Sequence, residues 1–255
     1  MHEYYYKSPP GTYFDTTSNP VDHETMIEIA ILNEHRLALY FWLKWTNRFT
    51  EKGNNKVPSL ITIDWHNDLA PLSEHEKSEL LELNQNDSDE ISRYSCFKLN
   101  PQNDGHIHAA LYLNALKDVY VLSKQPDFDD EEDKFCIDLN SNKHKIEVFR
   151  NVNDLVNTIK DLQDDFYLDI DLDYFVDSDD ICGDEGKLME NRKIKDFLDP
   201  RNHLFKTIYD RIRGFTIARE PTFCNGLKNS NVIMDLINER LFNNTLLTKN
   251  VIWKT

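Results

Sequence analysis

The chain has 255 residues, 45 of them acidic and 29 basic, giving a formal charge of −16 and an isoelectric point near 4.9. So acidic a chain is a poor match for nucleic-acid duplexes or anionic lipid, and neither nucleic acid nor membrane is expected as a partner. Hydrophobic residues make up 40% and aromatic residues 11%, which excludes wholesale disorder and is enough to fill a core; residues 1–255 read as a single domain.

No stretch reaches the roughly 18 uninterrupted apolar residues of a membrane span; the longest obvious run, 37–43, stops at Lys44. Residues 1–20 are rich in Tyr, Pro and Thr and lack a basic start followed by an apolar block, so a cytoplasmic product is expected. The four cysteines, Cys96, Cys136, Cys182 and Cys224, are widely spaced, with no C-x-x-C pair to hold zinc or run dithiol chemistry, and are expected to be reduced and mostly buried. Glycine-rich phosphate loops are absent among the seven glycines, which argues against nucleotide binding.

In chain order, an apolar strand is predicted over residues 27–32. A helix with Leu37, Tyr40, Phe41 and Trp45 on its buried face follows, and then a strand over 59–64. Residues 84–90 crowd Asn, Asp and Ser and read as a loop. After a strand over 119–123 comes a second loop over 127–133, in which six of seven residues are acidic; it reads as a solvated turn, with a dock for a basic partner as the alternative. Strands are predicted over 146–150, 167–171 and 214–218. Helical stripes lie at Val152, Leu155, Val156 and Ile159, at Leu204, Phe205, Ile208, Tyr209 and Ile212, and at Ile233, Leu236, Ile237 and Leu241. Alternating strands and helices imply an α/β fold, a sheet covered by helices on both faces.

Two segments carry chemistry. The strand over 59–64 runs directly into Asp64-Trp-His66-Asn-Asp68, and in a parallel sheet the C-terminal strand ends form the ligand-binding edge. The segment Phe166–Phe175 carries Asp169, Asp171 and Asp173 at alternate positions, which on one strand stacks up to three carboxylates on one face. Burying that charge uncompensated would cost on the order of several kcal/mol per ion. A cation is the natural compensation, and the mixed carboxylate and imidazole set suits Mn²⁺, with Fe²⁺ or Zn²⁺ also compatible.

These motifs resemble the arginase/deacetylase superfamily, whose ureohydrolases carry a strand ending in Asp-x-His-x-Asp and a later strand with Asp-x-Asp. The similarity extends over roughly residues 26–226 in four short blocks, around Asn33–Leu39, Ile61–Leu69, Leu168–Phe175 and Phe215–Pro221, and is greatest to a divergent branch that includes the peptide arginases. The resemblance implies a three-layer α/β/α sandwich with a mainly parallel sheet. It also implies two Mn²⁺ ions, one held by His35, Asp64, Asp68 and Asp169 and the other by His66, Asp64, Asp169 and Asp171. Two such ions acidify a shared water enough to make a nucleophile for a guanidinium carbon.

The general acid and the guanidinium clamp of arginases are not matched cleanly. His106 and His108 are the candidates for the acid, with His106 favoured as nearer the start of a helix for which Asp104 is the expected cap. Glu220 and Asp173 are the candidates for substrate binding. The function implied is conversion of a peptidyl arginine to ornithine with release of urea, an arginine-containing peptide being the partner. The alternatives are a one-zinc amide deacetylase, which leaves His35 and Asp68 unexplained, and a non-catalytic metal- or cation-binding relative. A homo-oligomer is left open.

Overall fold

The computed structural model describes residues 8–51, 53, 56–126, 135–178, 186–248 and 250–255; the acidic block 127–133 and Cys182 lie outside them. The strands are β1 (Thr12–Ser18), β2 (Met26–Leu32), β3 (Ser59–Asp64), β4 (Val119–Ser123), β5 (Phe135–Ile137), β6 (Lys143–Phe149), β7 (Phe166–Asp171), β8 (Val176–Asp177), β9 (Lys187–Leu188) and β10 (Ile212–Ala218). The α-helices are α1 (Ala38–Glu51), α2 (Glu74–Glu82), α3 (Ser88–Phe97), α4 (His106–Tyr112), α5 (Val152–Ile159), α6 (Asn191–Phe197), α7 (His203–Ile208) and α8 (Leu227–Phe242).

Eight strands form one sheet in the order β1-β2-β10-β7-β3-β4-β6-β5. The inner six are parallel, and β1 and β5 close the two edges antiparallel. Alternation of side chains splits the apolar residues into two cores. Ile61, Ile63, Leu168 and Ile170 face one way and meet α5 to α8; Leu60, Val119, Val121 and Tyr167 face the other and meet α1 to α4. The result is the expected three-layer α/β/α sandwich. Among the described residues no helix is long and apolar enough to cross a membrane.

All six predicted strands are the parallel ones; β7, β3 and β4 at the centre are buried on both faces and read as near-continuous hydrophobic stretches, whereas β6 is only partly buried. The half-exposed edge strands β1 and β5 lack that signature. Two boundaries differ from expectation. The 84–90 segment is a loop only as far as Asp87, whose carboxylate accepts from the backbone N–H groups of Asp89 and Glu90 and so starts α3. Ile212, placed by its spacing on the α7 stripe, instead opens β10, since α7 stops at Ile208 and a 3₁₀ turn over Tyr209–Arg211 separates them.

Gly214 in β10 fixes how closely α1 approaches the sheet. A Cβ there would lie 2.3 Å from Cε3 of the Trp45 indole, a rigid ring that also packs on Tyr167. Gly214→Ala is therefore expected to destabilise the fold by about 1–3 kcal/mol through overpacking, read as a lower urea midpoint; an unchanged midpoint would mean that α1 is free to shift.

Candidate metal centre

The C-terminal ends of β2, β3, β7 and β10 lie side by side on one edge of the sheet. His35 follows β2 and opens a 3₁₀ turn, His35–Leu37, that places its ring inside the protein with no exposed surface. Asp64 ends β3 and accepts from the backbone N–H of His66 at 2.7 Å. The chain then turns back at Asp68, which takes a left-handed backbone angle (φ 52°) that Asp tolerates better than most residues. That turn brings its carboxylate to 2.9 Å from His35 Nδ1.

On β7 the strand period puts Tyr167, Asp169 and Asp171 on the same face. Asp169 lies one pleat deeper than the strand end, between Thr62 of β3 and Thr216 of β10 in the pairing register. It accepts hydrogen bonds from both threonine hydroxyls, at 2.8 Å from Thr62, and its Oδ2 lies 2.7 Å from His35 Nε2. Asp171 closes the strand and accepts from the N–H of Asp173, starting a second 3₁₀ turn, Leu172–Phe175. The strand therefore does not continue to Asp173. The turn carries that residue sideways, where Oδ1 accepts from the Trp65 N–H and Oδ2 lies 2.8 Å from His66 Nδ1.

Two groups of side chains could hold a metal ion and share Asp64: His35 with Asp64 and Asp171, and Asp64 with His66 and Asp173. The expectation from sequence placed Asp169 among the ligands and left Asp173 for substrate. The geometry differs by one step of the Asp-x-Asp-x-Asp repeat: Asp173 stands with the donor atoms, while Asp169 is outside these groups and occupied in holding the far side of the His35 ring. A carboxylate behind a ligating imidazole fixes its tautomer and aim.

Charge supports a cation here. His35 Nδ1 lies 2.9, 3.1 and 3.4 Å from Asp68, Asp171 and Asp64, yet a ring nitrogen carries at most one proton and makes no well-aligned hydrogen bond to any of them. Asp64 Oδ2 is buried without a hydrogen-bond partner. Burial, reinforced by neighbouring carboxylates, holds the Asp64 and Asp171 carboxyls well above the ordinary range. Burial opposes charge on His66 too, but Asp173 and its acidic neighbours outweigh it and lift the imidazole to about 11; Asp173 is itself held low, against its burial, by His66. Divalent ions would replace protons that this cluster otherwise has to retain.

The remaining predicted site residues separate. His106 and His108 both lie in the first turn of α4, but two residues on a helix point to nearly opposite sides. His106 faces the centre: its ring sits 4.3 Å from that of His35 and stacks on Trp42 at 5.4 Å, fully buried. His108 belongs to none of the donor groups and is pushed down to about 4 by burial, with the Lys77 charge adding to the effect. Asp104 does not cap α4; Gly105 holds the cap position and the Asp104 carboxylate accepts from Asn100. Glu220, just past β10 at φ 30°, is buried and accepts from the backbone N–H of His35 at 2.7 Å and from Asn103 Nδ2. Burial, then Asp171, raise its carboxyl well above the usual range.

Sequence reading missed Thr62, Thr216 and Asn103. The threonines did leave a signal, since a hydroxyl buried between apolar neighbours, Ile-Thr-Ile in β3 and Phe-Thr-Ile in β10, needs a partner. No family model matches this chain, and no curated protein matches it.

Two outcomes follow for the metal content. Asp173→Asn is expected to abolish metal binding at the group of Asp64, His66 and Asp173, whereas Asp169→Asn should keep binding at both groups, about 10- to 100-fold more weakly, measured by elemental analysis and titration; the reverse pattern would restore the assignment expected from sequence. The second concerns pH. Because Asp64 and Asp171 titrate higher in the folded chain than in the unfolded one, the metal-free fold binds extra protons and loses stability as pH rises through that interval. Metal removes this loss, so the rise in Tm on adding Mn²⁺ should be larger at pH 8 than at pH 5.5, where less of that loss has accumulated. Equal increments at both would contradict the assignment.

Proposed function

We propose that the chain is a metal-dependent hydrolase of a guanidino group, acting on arginine within a peptide to give ornithine and urea. The observation that carries this reading is the pair of donor groups sharing Asp64 at adjacent strand ends. Two divalent ions would supply Lewis-acid charge and an acidified water when bound.

The chain's own residues account for capture of a planar cation. His66 is the exposed member of the centre, its side chain 20% accessible while Asp64 and Asp173 beside it are almost fully buried, so approach from solvent is on its side. Trp65 and Phe223 flank it edge-on, with ring centroids 5.0 and 5.2 Å away. The buried carboxylates beside them favour a guanidinium electrostatically.

The preference for a peptide rests on what is missing for a free amino acid. Recognition of free arginine needs fixed partners for its α-carboxylate and α-amino groups. In the segment after Asp68, Ser73 and Glu76 are engaged with each other: the Ser73 hydroxyl accepts from the Glu76 N–H, and the Glu76 carboxylate accepts from the Ser73 N–H and hydroxyl, a capping box that starts α2. Ala70 is tied back by its N–H to the Asp104 carbonyl.

Mn²⁺-loaded protein incubated with arginine-containing peptides is expected to release urea and leave a product lighter by about 42 mass units, the difference between arginine and ornithine, with free arginine turned over far more slowly. Equal or faster turnover of free arginine would overturn the peptide assignment, and acetate release from acetyl-lysine peptides without urea would overturn the guanidino assignment.

A further inference from the structure

His106 is the buried nitrogen that the proposed reaction leaves without a task. Its Nδ1 lies 2.8 Å from the backbone carbonyl of Asn103, an acceptor only, so this nitrogen carries the ring proton and Nε2 presents a lone pair. Nε2 is buried and has no hydrogen-bond partner. The ring is clamped between Trp42 and His35. A proton donor to a departing amine has to carry a proton on the atom that faces the substrate and has to reach it. His106 meets neither condition, since its proton points at Asn103 and its residue has no exposed surface.

The same arrangement is what a metal-bound imidazole needs: one nitrogen donating to a carbonyl that fixes the tautomer, the other free. A ligand atom of His106 stands within 4.8 Å of ligand atoms of His35 and Asp68. The carbonyl that orients it is itself anchored. Asn103 takes a left-handed backbone angle (φ 64°) and donates from Nδ2 to Glu220, whose same oxygen accepts from the N–H of His35. One strut therefore sets both rings.

We infer that His106 is a further metal-ligand nitrogen, joining His35 and Asp68, and that it makes this position selective for a borderline divalent ion over Mn²⁺. The inference rests on the metal-dependent reading above and goes beyond it. Two imidazoles with carboxylates shift preference toward Fe²⁺, Co²⁺ or Zn²⁺, whereas the group of Asp64, His66 and Asp173, with one imidazole and two carboxylates, suits the harder Mn²⁺. The two positions of the centre thus differ in the metal they favour.

The test compares wild type, His106→Gln and His108→Gln for bound Zn²⁺ and Mn²⁺ by elemental analysis and competition titration, with thermal melts of the metal-free proteins to report folding. His106→Gln is expected to bind the ion at the His35 position at least about tenfold more weakly and to lose about tenfold of that position's preference for Zn²⁺ over Mn²⁺, while His108→Gln matches wild type. Stoichiometry and preference unchanged in His106→Gln would overturn the inference and leave the dinuclear reading standing; a wild-type chain that binds no ion would overturn both. X-ray absorption on the Zn²⁺-loaded wild type gives an answer that does not depend on the variant folding. Imidazole scattering from three rings shared by two ions supports the inference, and scattering from two rings contradicts it.

Discussion

The structure turns on a concentration of buried negative charge. Asp64, Asp169, Asp171 and Asp173 are each at most 2% exposed, and Asp68 and Glu220 stand beside them, against the imidazoles of His35, His66 and His106. Water is excluded from most of these oxygens, and the desolvation of several carboxylates at once is too large for hydrogen bonds from two or three rings to offset. Asp169 is satisfied from within, by two threonine hydroxyls and His35 Nε2. Asp64, Asp68 and Asp171 converge on His35 Nδ1 and Asp173 on His66, where a multivalent cation meets the electrostatic demand that a single ring proton does not.

The fold delivers these groups by simple means. Parallel strands end on a common edge, so residues distant in sequence, from β2, β3, β7 and β10, arrive together without any long loop having to fold over the site. The two 3₁₀ turns that follow β2 and β7 then aim His35 inward and Asp173 toward His66. On the α1-to-α4 face, Trp42 backs His106 and the Asn103–Glu220 bond ties the loop before α4 to the end of β10. Rigid packing behind the donors matters because a metal site tolerates little movement of its ligands.

Much of this was legible in the sequence, and the parts that were not share a physical reason. Strands buried on both faces announce themselves as apolar runs, so β3, β4, β7 and the site edge could be read directly; the edge strands β1 and β5, half wet, could not. Asp64, His66 and Asp68 were identifiable because the motif follows an unbroken strand. The ambiguity lay in phase. Asp169, Asp171 and Asp173 repeat with the period of the strand itself, so nothing local says where the strand stops, and the stop at Asp171 is what puts Asp169 behind His35 and Asp173 beside His66. Asn103 is recognisable only in three dimensions, through the contacts that its loop makes with β10.

The proposed metal centre holds two divalent ions at the ends of β3 and β7, with Asp64 between them. Anomalous diffraction from a Mn²⁺-soaked crystal of the full chain tests it most directly. The expected result is two peaks on either side of Asp64, one against His35 Nδ1, Asp68, Asp171 and His106 and the other against His66 and Asp173, with Asp169 still hydrogen-bonded to Thr62, Thr216 and His35 Nε2. A centre without anomalous density at saturating Mn²⁺, with the carboxylates instead paired to ordered water and protonated histidines, would contradict it.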